Sequence, residues 1–196
     1  MGYYCSACGA SIGREVYLYS REKAGRVLCK ACQQAHFRER EKAFDYNMIK
    51  GRIAEALIEQ LFVKLGYQVY RYGMENTIPG IMEELRGTGS EVGRVIRRMP
   101  DLVVARDGEA HFIEVKFRGN GCFSIDDVGG DYPFRDVFFI VVSRKHIKCL
   151  SYRELAAGER ITERSRQYLA DVSAFDTDRE TIRGFCQYAV QFFETV

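Results

Sequence analysis

Several features are missing from this 196-residue chain, and each absence narrows the field. No apolar run approaches the roughly 18 residues a helix needs to cross a membrane, so no membrane partner is expected. The first residues, MGYYCSACGAS, lack the basic-then-apolar layout of a secretory signal. That leaves a cytoplasmic location, or a nuclear one in a eukaryote, as the expectation, and it makes disulfides unexpected. There is no internal repeat and no low-complexity tract. The G-T-G-S at Gly87–Ser90 is not followed by G-K-[ST], which excludes a phosphate loop of that kind. Charge of either sign is nearly balanced: 29 Lys+Arg against 27 Asp+Glu leave +2, too little to announce nucleic acid by itself.

What is present is unevenly spread. Residues 1–52 carry +5 and residues 53–196 carry −3, a modest basic appendage on a slightly acidic body, compatible with phosphate contacts. Four of the seven cysteines lie in the first part, as Cys5-Ser-Ala-Cys8 and Cys29-Lys-Ala-Cys32. Two residues between paired cysteines let both sulfurs turn onto one ion, and two such pairs complete a tetrahedral structural zinc site. Gly9 supplies the backbone freedom that a metal knuckle needs. A segment this short cannot hold a core, so the metal would supply its folding energy. His36 is a spare ligand that four cysteines leave as an ordinary helix residue. Between the pairs, V-Y-L-Y and R-V-L flank a turn and suggest a small hairpin. The second pair runs into A-C-Q-Q-A-H-F-R-E-R-E-K-A-F, which has helical composition. A knuckle, a hairpin and a cysteine pair feeding a helix resemble the treble-clef zinc fingers, with a plain ribbon as the alternative. Such modules contact nucleic acid or protein.

The body opens on its clearest helix, Gly51 to Gly66. Ala54, Leu57, Ile58, Leu61 and Leu65 form one apolar stripe, and Gly66 suits a C-cap. On a helical wheel Glu55 lies about 100° from the stripe's centre, at the margin of the buried face. Glu59, at about 140°, points to solvent. Y-Q-V-Y-R-Y then reads as a strand. Residues 73–93 read as a long connection with a short helix near Met82–Leu85. Arg94, Arg97 and Arg98 come next, as a solvated strand edge or a phosphate-positioning group.

From Asp101 to Phe117 two short strands meet at Asp107-Gly108, a dipeptide suited to a tight hairpin. Pro100 suits a strand start because it cannot donate to a ladder. Phe112, Glu114 and Lys116 leave one face of the second strand; Ile113, Val115 and Phe117 leave the other. Acids beside a lysine in an apolar hairpin are costly unless a metal or a substrate compensates them. The glycine-rich stretch after Lys116 reads as a mobile loop. D-V-F-F-I-V-V-S reads as a strand covered on both faces, and H-I-K-C-L-S as the next. Tyr152 onward reads as helical, with a capping box at Thr177–Glu180 opening a last helix to about Glu194. Cys122, Cys149 and Cys186 read as buried thiols.

This order of elements carries Glu55 on the first helix, Pro100-Asp101 on the second strand and Glu114-Val115-Lys116 on the third. It resembles the PD-(D/E)xK nuclease superfamily, which includes restriction endonucleases and Holliday-junction resolvases, over about residues 49–150. The resemblance implies a restriction-endonuclease-like α/β (α+β) fold, a mixed sheet flanked by helices. It implies a metal-dependent endonuclease hydrolysing phosphodiester bonds, with DNA favoured over RNA. Asp101 and Glu114 would be ligands of Mg(2+) or Mn(2+), Lys116 the catalytic lysine and Glu55 the accessory acid. The residues make chemical sense without the name. Asp101, Glu114 and the main-chain carbonyl of Val115 are hard oxygen ligands for such an ion, and Glu55 would complete the shell. The ion would polarise the phosphate and lower the pKa of its water, and Lys116 would position or deprotonate that water.

The expected organisation is therefore a zinc module with linker helix at 1–48, a nuclease-like core at 49–150 and a C-terminal helical extension packed on the core at 151–196. Arg94, Arg97, Arg98 and Arg118 are the expected nucleic-acid contacts, the zinc module would aid substrate or partner binding, and a homodimer would suit duplex cleavage. Two other functions compete: a non-catalytic nucleic-acid-binding protein with this fold, and a zinc-finger adaptor that binds protein. For the acids the bland alternative is that Asp101 caps a turn while Glu114 and Lys116 form an exposed ion pair.

Overall fold

In the computed structural model, which describes residues 2–74, 78, 80–85 and 87–194, the chain divides into two units, Met1–Ile49 and Lys50–Val196. The division falls inside one long helix.

In the first unit β1 (Tyr3–Tyr4) pairs antiparallel with β2 (Ser11–Ile12) around the Cys5–Cys8 knuckle. Gly9 takes φ +74, a conformation that suits glycine. Helix α2 (Lys30–Lys64) begins one residue after Cys29, so the second cysteine pair does feed a helix. The hairpin expected between the pairs is absent: Arg14–Ala24 is a helix, α1. Its inward residues, Val16, Tyr17, Ser20 and Ala24, recur at helical spacing, while Leu18 and Tyr19 face outward. Ser20 is 0 % exposed; its hydroxyl donates to the Arg26 carbonyl (2.7 Å) and accepts from the Leu28 amide (2.8 Å). Tyr3 stacks on Tyr17 with ring centroids 4.2 Å apart.

In the second unit five strands line up in chain order: β3 (Gln68–Arg71), β4 (Leu102–Arg106), β5 (Glu109–Phe117), β6 (Val137–Val142) and β7 (Ile147–Ser151). All neighbours are antiparallel except β5 and β6, so the sheet is mixed and the fold α+β. Asp107 (φ 53) and Gly108 (φ 86) make the turn between β4 and β5, both in the left-handed region that a two-residue hairpin requires. One face of the sheet packs Leu102, Val104, Ile113, Val115, Ile140 and Ile147 against the Ala54–Leu65 stripe of α2 and against α7 (Arg179–Glu194). The C-terminal residues are thus part of the main core through Ile182, Ala189 and Phe193.

The opposite face differs from expectation. The segment after Lys116 is a packed cover rather than a mobile loop. It carries α5 (Ile125–Val128), opened by a Ser124/Asp127 capping box, and it buries Phe123 and Tyr132 over Val137, Phe139, Val141 and Leu150. Two short helices precede β4: α3 (Ile81–Glu84), near the expected position, and α4 (Glu91–Arg97). Residues 75–77, 79 and 86 of the expected connection lie outside the described residues. The helix expected from Tyr152 stops after one turn, α6 (Tyr152–Ala156), at a glycine with φ +96, Gly158. Between Gly158 and Asp178 the chain is largely irregular, with a 3-10 turn at Leu169–Asp171. Asp178 rather than Thr177 caps α7, accepting from the Thr181 amide at 2.8 Å. Cys149 is buried as expected and Cys186 half-buried, but Cys122 is exposed. Among the described residues no helix is long and apolar enough to cross a membrane.

Candidate functional site

Strand register brings the acids together. Leu102 faces Ile113, so one step further Asp101 faces Glu114 across β4 and β5. The Asp101 Oδ2 accepts from the Val115 amide at 2.7 Å. Another step places Pro100 opposite Val115. Proline has no N–H, so it cannot satisfy the Val115 carbonyl, which leaves the same strand edge as the Val115 amide. Asp101 thus engages the Val115 amide, and Pro100 brings no N–H to that edge.

Glu114 lies on the face covered by Phe112, Phe139 and Tyr132, with its side chain 12 % exposed. Its Oε1 accepts from Lys116 Nζ at 2.5 Å, while Oε2 is buried with no hydrogen-bond partner among the described residues. Burial, and then the Asp101 and Glu55 carboxylates, push its pKa up to about 7 against the pull of Lys116. The ammonium of Lys116, 31 % exposed, is disfavoured by burial, but Glu114 and Asp101 outweigh this and raise its pKa. Glu55 is half-buried at the margin of the α2 stripe, as the helical wheel places it, and its charge reaches Glu114. Glu59 is not free in solvent: it is half-buried, and Oε2 accepts from Arg71 Nε and Nη2 at 2.9 and 2.7 Å.

The arginines turn inward. Arg94 pairs with the Asp131 carboxylate, Arg97 donates to the Leu85 carbonyl and to Thr88, and Arg98 donates to the Gly130 carbonyl at 2.8 Å. Arg118 lies 3.6 Å from Asp127 and over the Phe123 ring. Arg94, Arg97 and Arg98 sit on and just after helix α4, not on a strand edge, and Arg94 and Arg98 clamp the loop 129–132 over the sheet. That loop carries Tyr132, which sequence reasoning passed over. Its one signal was a large aromatic inside a glycine-rich stretch. Exposed cations at the same end of the sheet include Arg144 and Lys145, in the turn after β6. Lys148 shares a lateral row with Lys116 through Val141, two strands away, but its ammonium is held by the carbonyls of Thr162 (2.7 Å) and Glu163 (3.0 Å).

The four cysteines of the first unit form a tighter group. Sγ atoms of Cys5, Cys8, Cys29 and Cys32 all lie within 4.8 Å of one another, and Cys8 and Cys29 are 3.7 Å apart. A tetrahedron with metal–sulfur bonds of about 2.3 Å has edges of about 3.8 Å, so this set can hold a metal ion. Main-chain donation from Cys29, then Cys8 and Ala7, draws the Cys5 thiol down to about 6. The thiols of Cys29, Cys8 and Cys5 push Cys32 up to about 12. His36 stays outside the cluster, its ring against Phe37. Among the described residues this is the group of three or more metal-ligating side chains that converges so closely; the three carboxylates approach each other less tightly.

Compared with models of known protein families and with curated proteins, the chain matches none.

Proposed function

We propose that the second unit is a metal-dependent phosphodiesterase acting on nucleic acid. Within that class the reading is a PD-(D/E)xK nuclease, an endonuclease with DNA favoured, joined to a treble-clef-like zinc module that helps hold substrate or a partner. The observation that carries it is Glu114: a carboxylate inside an apolar sheet face, one oxygen held by Lys116, the other buried and unsatisfied. Leaving even a neutral polar group buried without a hydrogen bond costs about 2–7 kcal/mol, and a charged carboxylate more, unless something compensates it.

Glu114 Oε2, Asp101 and the Val115 carbonyl would hold Mg(2+) or Mn(2+), which favours hard oxygen donors, and Glu55 would complete the set. An ion held there would supply charge for the phosphoryl oxygens and a more acidic water. The chain's own residues do the rest. Lys116, kept charged by its acidic neighbours, orients the attacking water and offsets charge on the phosphate. Asp101, fixed by the Val115 amide, holds the end of β4 against β5 and sets the spacing of the donors. Glu114 would hold such an ion as its carboxylate, with Lys116 beside it on Oε1. In the first unit, four thiolates at tetrahedral spacing favour zinc.

The test is cleavage of DNA and RNA substrates with Mg(2+) or Mn(2+). Asp101→Ala and Lys116→Ala should each lower the rate by about a thousandfold, within the range for loss of a general acid–base group or a charge-stabilising one. Equal activity in either variant sinks the reading. The closed Lys116–Glu114 pair favours a second reading, a nucleic-acid-binding protein of the same fold that does not cleave. It expects salt-dependent binding and no cleavage with either ion.

A further inference from the structure

Three buried side-chain polar atoms lack a hydrogen-bond partner among the described residues: Glu114 Oε2, the Tyr132 hydroxyl and Gln167 Oε1. Gln167 lies beside Cys149 in β7, its carbonyl accepting from the Cys149 amide. The other two share one neighbourhood. The Tyr132 ring packs on Phe139 with centroids 5.5 Å apart, and Phe139 is the residue of β6 opposite Glu114. Tyr152 stacks on the same ring at 5.9 Å, and Phe134 closes another side at 6.0 Å. The residue is 4 % exposed, and its loop is pinned by Arg94 at Asp131 and by Arg98 at Gly130. Burial, then the charges of Glu114 and Asp101, hold the phenol above its usual range, so it remains a neutral hydroxyl.

An apolar residue would fill this place without penalty, since burying a hydroxyl that bonds nothing is destabilising. The carboxylate and the phenol do not bond to each other. A cation that keeps part of its hydration shell satisfies both, one by direct ligation and the other through a shell water. We propose that Tyr132 is a positioning residue of the acid site, its hydroxyl holding a shell water of the divalent cation that Glu114 Oε2 ligates. This rests on the metal-dependent reading above. It adds to that reading the residue that fixes where a water stands, together with the arginine clamp that sets Tyr132 in place.

The experiment compares the full-length wild type with Tyr132→Phe and Asp101→Asn. Thermal unfolding is measured without divalent ions, and Mn(2+) affinity by calorimetry. Removing only an unsatisfied hydroxyl should raise the ion-free melting temperature of Tyr132→Phe by about 2–4 °C. Its Mn(2+) affinity should fall ten- to a hundredfold, the usual effect of losing an outer-shell partner. A merely structural tyrosine would give the opposite melting shift and leave affinity alone. An unchanged affinity, or a lower ion-free melting temperature, overturns the role of Tyr132. If the wild type binds no Mn(2+), or Asp101→Asn binds it equally well, the metal site itself fails and the inference with it. Loss in Asp101→Asn with retention in Tyr132→Phe removes the inference alone.

Discussion

Four thiols in the first unit and three carboxylates in the second each gather groups that repel one another once ionised, yet they are held in different ways. The thiols converge within 4.8 Å on a segment whose buried apolar residues include Cys5 and Leu28. The other buried side chains described there are few, Ser20, Leu28 and Gln33, so the fold of that unit leans on its thiols. Asp101 and Glu114 stand at a sheet packed on both faces, and Glu55 on helix α2 of the same unit, where the fold is secured by residues such as Ile58, Phe62, Ile113 and Phe139. There the site is a cost that a finished fold carries. The difference teaches where each cluster is vulnerable: the first to loss of the metal proposed for it, the second to any change in its charge balance.

The largest effect should come from the thiols. Stripping the proposed zinc with a strong chelator should unfold the first unit, because structural zinc in small modules contributes about 10–16 kcal/mol of apparent binding energy. Hydrogen exchange at the Leu28 amide, protected by Ser20, reads this directly. Protection that survives chelation would break the contrast.

The acid cluster should answer in the opposite sense. A carboxyl whose folded pKa is raised keeps its proton when the unfolded chain has lost it. Stability therefore falls as pH rises through the interval between the two values. For Glu114 that interval runs from about 4.5 to about 7. Glu114→Gln, which keeps an oxygen for Lys116, should match the wild type near pH 4. Above pH 7 without divalent ions it should be more stable by up to about 3 kcal/mol. Denaturant unfolding at pH 4.5 and pH 8 checks it; a difference that does not grow with pH would contradict the raised pKa.

Ser20→Ala probes the small unit without touching its ligands. It leaves the buried Leu28 amide unpartnered, which costs about 1–3 kcal/mol. Because the first unit has little else, exchange at Leu28 should rise about ten- to a hundredfold with the metal in place. If it does not, the thiols and metal alone carry that fold.

The two regions were unequally legible in the sequence. Spacing alone brought the four cysteines together, since two-residue gaps leave little choice. Hairpin chemistry at Asp107-Gly108 and the alternation around Ile113, Val115 and Phe117 set both strands and their faces. Helix α1 was hidden because its buried residue is a serine; the visible apolar pattern, Leu18 and Tyr19, belongs to its outer side. The cover over Glu114 was hidden because its anchors, Phe123 and Tyr132, are spaced by glycines with no period. The inward turn of Arg94, Arg97 and Arg98 depends on carbonyls distant in sequence, which no local pattern announces. Pro100 and Asp101 were recognised as a pair. What they jointly do to the Val115 main chain became readable only with the register.

The smallest effect tests whether the second unit tolerates the kind of loss that the first does not. Asp178 caps α7 by accepting from the Thr181 amide, at the exposed end of a helix anchored by Ile182, Ala189 and Phe193. Asp178→Ala removes one exposed cap and leaves that anchorage alone, so it should cost about 1 kcal/mol. In a protein of this size that lowers the melting temperature by about 2–4 °C. The hydrogen bonds also hold the Asp178 carboxyl below its usual range. The difference between wild type and variant should therefore shrink as pH falls below about 4, because a group with a depressed folded pKa loses its contribution on protonation. A much larger loss, or one that ignores pH, would mean that the end of α7 holds the acid-bearing sheet together and that the second unit is less secure than its two-sided packing implies.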